Sequence, residues 1–204
     1  MSEVRKYPSD VPRLPGFPLI DSPLLEHLVA RGYFGDHAEA ALQLQREGVL
    51  RVDLGRNRVQ KLANRICSDL EPRMDLSAWR ASGGRGDLRF KDAWSESEAV
   101  RELAVIPELL DLLELFWGRR PLPFQTMNSP VGTRQHLHSD AVHFQSDPAA
   151  FMCGVWVPLE DVLDAAGPLE YVPGSHRLPC LQPRDIGYQQ QAGSTPDQSI
   201  FHAV

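Results

Sequence analysis

The residues best equipped for chemistry lie between Gln135 and His176. In QHLHSDAVHF, His136, His138 and Asp140 fall close together, and the stretch closes on Pro173-Gly174-Ser175-His176. Side chains at i and i+2 of an extended segment point the same way, so these three share one face. An imidazole nitrogen and a carboxylate oxygen there can meet a single divalent ion. The spacing alone is weak warrant, because seven His and fifteen Asp in 204 residues supply about 0.5 His-x-Asp pairs by chance. The surrounding elements have to decide.

Those elements change character along the chain. Up to Pro23, the prolines Pro8, Pro12, Pro15, Pro18 and Pro23 forbid a continuous helix and favour an extended strap. Asp36 to Arg46 carries Ala38, Ala41, Leu42 and Gln45 at helical spacing and meets a stop at Gly48. VLRVDL then alternates as a strand, and a second helix is expected from about Asn57 to Leu70. SGGRG, from Ser82 to Gly86, lacks the Lys-Ser/Thr and the preceding strand of a phosphate loop and is expected to be a loop. Ser95 or Ser97 can cap a helix that turns Val100, Leu103 and Ala104 inward. Pro107 suits the first turn of the next helix, which ends at Gly118. That helix is apolar on more than one stripe, through Leu109, Leu110, Leu112, Leu113, Leu115 and Phe116, so packing against a sheet is expected.

From Phe124 the period changes to two. PFQTMNS, TRQHLHSD, AFMCGVWVPL, GPLEYV and SIFHAV read as strands, with VGT, QSDP, DAAG and PGSH as turns. In FMCGVWVPL, Phe151, Cys153, Val155, Val157 and Leu159 form one apolar face. Gly154 and Trp156 look the other way, into either a cavity or a second core layer. The expected organisation is a Pro-rich leader over 1–34, a helical region over 35–120 and a β core over 121–204.

Composition narrows the function classes. At 42% hydrophobic the chain can bury a core. Its most apolar window, Val105 to Trp117, is broken by Glu108, Asp111 and Glu114 and is too short to span a bilayer. The N-terminus shows no apolar signal core. Cys67, Cys153 and Cys180 are odd in number and far apart, which suits a reducing, cytoplasmic setting. A net charge of −6 with scattered arginines excludes a nucleic-acid footprint. A small molecule is the expected partner, and an unpaired sheet edge would offer a route to self-association.

The order of motifs is helices, a strand ending in QTMNSP, His-x-Asp, an apolar strand with Trp-x-x-Leu-Glu-Asp, then Gly-Pro-Leu and Pro-Gly-Ser-His. This resembles the phytanoyl-CoA dioxygenase family of iron(II)- and 2-oxoglutarate-dependent oxygenases. The similarity is close from about Asp87 to Pro179, and its most specific parts are HSD and GPLEYVPGSHR. It implies an α+β fold with a mostly β core, a double-stranded β-helix (jelly roll, cupin-like) carrying N-terminal helices. It also implies Fe(2+), 2-oxoglutarate and O2 as cofactor and cosubstrates, admits ascorbate as a reductant, and implies hydroxylation of an unactivated carbon. By resemblance, His138 and Asp140 are metal ligands, and a facial set of two His and one carboxylate leaves three positions open. Related halogenases replace the carboxylate with a small residue, so Asp140 points to hydroxylation. Met127 and Trp156 match positions packed around 2-oxoglutarate. Arg89, in RFKDAW, matches a basic position near the same cosubstrate, where a guanidinium suits a carboxylate; Lys91 is the near alternative. Ser139 stands where the family often has a larger amide that bonds the cosubstrate. His176 is expected in a turn or supporting role. His136 and His143 are candidates for substrate contact or for supporting the ligands, and equally for solvated or core histidines.

The chain departs from the family in one respect. The third ligand of the family is a distal histidine after a Gly-Asp turn, followed by an arginine that clamps the far carboxylate of 2-oxoglutarate. After His176 the sequence has only His202, and no arginine follows Arg184. A jelly roll of about eight strands is therefore expected to be incomplete at the C-terminus, with weak iron binding and little or no turnover. Two rival readings follow. His136-x-His138-x-Asp140 resembles the box of metallo-β-lactamase-like zinc hydrolases, but that box needs histidine directly after the aspartate, where Ala141 stands. A non-catalytic binding or assembly module derived from the oxygenase fold is the other.

Overall fold

The computed structural model describes residues 7–85, 88–133, 135, 137–140, 146–148 and 150–179. The chain divides into two compact units. One comprises Met1–Leu50, Gln135–Gly154 and Glu170–Val204, the other Arg51–Arg134 and Val155–Leu169.

In the first unit the Pro-rich strap buries Val11, and its turn at Leu19–Asp21 buries Ile20 beside helix α1 (Leu25–Ala30) and helix α2 (Ala38–Glu47). Leu25, Leu28, Phe34 and Ala41 are almost wholly out of water and form the apolar centre of this unit. Tyr33 meets Phe34 edge-on, with ring centroids 5.1 Å apart. Helix α2 ends as its sequence requires. Gly48 adopts φ 75°, a left-handed conformation without steric penalty for glycine, and donates its N–H to Leu44 O at 2.7 Å.

The second unit is built on helix α3 (Arg56–Leu70), short helix α4 (Leu76–Ala81), helix α5 (Glu98–Ala104) and helix α6 (Pro107–Trp117). Leu62, Ile66 and Leu70 recur at i, i+4 and i+8 on α3 and pack with Ala93, Ala99, Val100, Ile106 and Leu109. Ser97 caps α5, accepting from Val100 N at 3.3 Å and donating its hydroxyl to Asp69 Oδ2 at 2.5 Å. Pro107 opens α6, and Gly118 closes it with φ 72°. Arg58 and Arg65 of α3 pair with Glu108 of α6 and Glu102 of α5.

Several expectations are corrected. Among the described residues only two strands pair, β1 (Phe90–Lys91) and β2 (Met127–Asn128), antiparallel with Phe90 opposite Asn128 and Lys91 opposite Met127. VLRVDL forms no strand, and Val52 is exposed, because alternation defines a buried face only where a sheet exists to receive it. AFMCGVWVPL, the described part of TRQHLHSD and GPLEYV likewise form no ladder. In the first of these Val155 and Trp156 remain about half-exposed, and Leu159 packs against the helical cluster. The described residues thus do not form the expected jelly roll. Among the described residues helix α6 packs mainly on helices, with Leu109 and Leu113 in the α3–α5 cluster that Phe90 of β1 also joins. SIFHAV lies outside the described residues. The DAAG and PGSH turns are present, with Gly167 and Gly174 at φ 75° and 83°.

Candidate functional site

His138 and Asp140 come together as their spacing predicts. His138 Nε2 lies 3.4 Å from Asp140 Oδ1. Two donors bound at right angles to one ion, with bonds of about 2.1 Å, stand about 3 Å apart. The pair therefore fits a shared divalent ion after a small side-chain rotation. Residues two apart stay close along the chain whether or not a neighbouring strand pairs with them, and Asp140 here is in 3-10 rather than strand conformation. The Asp140 side chain is 72% exposed and that of His138 21%, so the carboxylate can be reached from solvent while the imidazole is largely covered. Ser139, between them, is exposed.

Gly154 is an addition that the motif did not single out. A Cβ built on it would stand 3.7 Å from Asp140 Oδ2, an ordinary van der Waals distance. The signal was present in the alternation of FMCGVWVPL, which placed Gly154 opposite the apolar face. The missing side chain keeps the flank of the carboxylate open.

Arg89, Met127 and Trp156 belong to the second unit, whereas His138, Ser139 and Asp140 belong to the first. Within the second unit, the β1–β2 register sets Lys91 opposite Met127, and the period of two adds Arg89 to that face. Lys91 and Met127 are exposed there and Arg89 is half-buried, so both basic candidates and the methionine share one surface. Trp156 is 53% exposed.

His176 is occupied elsewhere. Its Nε2 lies 2.9 Å from Gln45 O, and Arg177 Nη2 donates to the same carbonyl at 2.8 Å. Gly174 N donates to Glu47 O at 2.7 Å. The PGSHR turn thus satisfies carbonyls that the last turn of α2 leaves without partners, and it sets a guanidinium at the negative end of the helix. This agrees with a turn role for His176 and leaves its Nε2 unavailable to a metal. His136, His143 and His202 lie outside the described residues. Among the described residues, no cluster of three or more His, Cys, Asp or Glu side chains could hold a metal, and no helix is long and apolar enough to cross a membrane.

A family model described as phytanoyl-CoA dioxygenase (PhyH) matches residues 51–202, a span that takes in Arg89, Met127, His138, Asp140 and Trp156. Neither the curated proteins nor the solved structures yield a significant match. The chain belongs to the phytanoyl-CoA dioxygenase family.

Proposed function

We propose that this chain is a non-haem iron(II), 2-oxoglutarate-dependent dioxygenase that hydroxylates an unactivated carbon of a small metabolite or lipid-like substrate. The observation that carries this reading is the 3.4 Å approach of His138 Nε2 to Asp140 Oδ1 within the span matched by the family. His138 and Asp140 hold the iron as two of its three protein ligands. Bound iron(II) supplies oxidative decarboxylation of 2-oxoglutarate by dioxygen, coupled to hydroxylation of the substrate. The Arg89 guanidinium binds a cosubstrate carboxylate through paired hydrogen bonds. Met127 and Trp156 pack against the cosubstrate and keep water from it, and the Ser139 hydroxyl hydrogen-bonds to it. The double-stranded β-helix that the family implies belongs to the same proposal, with β1 and β2 its one paired part among the described residues.

The test is succinate formation from 2-oxoglutarate with added iron(II), alongside metal analysis of the purified protein. Iron-dependent succinate that is lost in both His138→Ala and Asp140→Ala would support this reading, and its absence in wild type would favour the non-catalytic module. Tight stoichiometric zinc that His136→Ala abolishes would instead establish the hydrolase reading.

A further inference from the structure

Three segments of the first unit converge at the C-terminal end of α2. One is the helix end itself, whose last carbonyls have no partner within the helix. Another is the Ser175–Arg177 turn, which sets two donors on one acceptor, with His176 Nε2 at 2.9 Å and Arg177 Nη2 at 2.8 Å from Gln45 O. A backbone carbonyl only accepts, so His176 donates from Nε2. The last is the strap, whose turn at Leu19–Asp21 packs on α2 and brings the Asp21 carboxyl within electrostatic reach of both His176 and Arg177.

The charged groups at this junction are unevenly engaged. Glu47 accepts from Arg46 Nη2 at 2.8 Å and from Gln43 Nε2 at 3.1 Å, so its own helix occupies it and Arg46 together. Tyr171 contributes a hydroxyl that crowds the Gly48 side of the His176 ring. Asp21 stands apart. Among the described residues no hydrogen bond ties its carboxyl, and the charges acting on it are those of His176 and Arg177. Asp21 keeps part of its surface in water, yet the packing around its carboxyl removes enough water to raise it above 3.8, while His176 and Arg177 lower it. A carboxyl raised in the fold takes up its proton at a higher pH than in the unfolded chain. That uptake stabilises the fold as a whole and, in the same step, removes the anion that faces the turn.

We infer that Asp21 is an acid-sensitive catch for the PGSHR turn: as a carboxylate it holds His176 and Arg177 at Gln45 O, and on protonation it lets the turn open from α2 more often.

Hydrogen exchange of the Gly174 amide reads the catch directly, because that N–H donates to Glu47 O at 2.7 Å and exchanges only when the turn opens. Rates are measured by NMR on the full chain and divided by the intrinsic rate at each pH. At neutral pH, Asp21→Asn is expected to exchange about threefold faster than wild type, the size of an exposed charge interaction. As pH falls to 3.8, the ordinary value for this carboxyl, the wild-type rate should rise to meet that of Asp21→Asn. The urea midpoint should move the other way, with Asp21→Asn at least as stable as wild type at neutral pH, since the substitution removes the cost of a partly desolvated charge. In an Arg177→Gln background the same substitution should change exchange less, because one of the two charges it answers is gone. Equal protection of Gly174 in wild type and Asp21→Asn at neutral pH overturns the catch. So does a difference that persists unchanged to pH 3.8, or one of the same size without Arg177. Faster exchange together with a lower urea midpoint would make Asp21 a structural support only and refute the inference as well.

Discussion

Gly48→Ala probes the seat of the PGSHR turn. Gly48 has φ 75°, and a Cβ there would overlap the His176 ring and the Tyr171 hydroxyl. A side chain held in the left-handed region costs about 1–2 kcal/mol. Relieving the overlap drives the imidazole off Gln45 O and forfeits a hydrogen bond of about 1 kcal/mol. The expected loss is therefore about 2–3 kcal/mol, or a Tm lower by roughly 4–12 °C for a chain of this size. Gly32 supplies the control. It has φ 72° with nothing within 4 Å of a built Cβ, so Gly32→Ala reports the backbone strain alone. Urea denaturation of Gly32→Ala, Gly48→Ala, His176→Ala and the Gly48→Ala/His176→Ala double variant separates the two contributions. The double variant is expected to lose about 1 kcal/mol less than the sum of its singles, because His176→Ala removes one of the overlapping groups. Equal losses for Gly48→Ala and Gly32→Ala, or strict additivity in the double variant, would refute the docking of the turn on α2.

Other expectations concern acid sensitivity, the flank of Asp140 and a helix cap. Hydrogen bonds from Arg58 lower the Glu108 carboxyl from 4.5 to about 2. A lowered carboxyl stabilises the fold above its unfolded value and loses that contribution as pH falls through its folded value. The stability difference between wild type and Arg58→Gln should thus shrink between about pH 4.5 and 2 in a series of urea melts; a difference independent of pH would contradict the pairing. Gly154→Ala should preserve metal binding, since the added carbon stands 3.7 Å from Asp140 Oδ2. Gly154→Leu should crowd the carboxylate and weaken manganese(II) affinity about tenfold or more, measured by calorimetry. Ser97→Ala removes the α5 cap and the partner of Asp69, which should cost about 1–2 kcal/mol of stability.

The legible parts of this molecule were those governed by neighbours in sequence. Ser97, Pro107, Gly48 and Gly118 marked helix ends because capping, a fixed φ and a left-handed stop act within one turn of chain. The His138–Asp140 approach was legible for the same reason: residues two apart in sequence lie near each other without help from the rest of the protein. The strands from 151 to 159 and around 49 to 54 were misjudged because alternation states only which face is apolar. Whether a ladder forms depends on a partner that is distant in sequence.

The sequence by itself determined the boundaries of α2, α3, α5 and α6, the closeness of His138 and Asp140, and the family. Tertiary structure decided what His176 does, since its partner Gln45 is remote in sequence and outside the matched span. It also decided that Gly154 flanks Asp140 and that Arg89, Lys91 and Met127 share one face of a two-stranded ladder. Each of these relations joins residues that are far apart along the chain, and only the folded backbone fixes such distances.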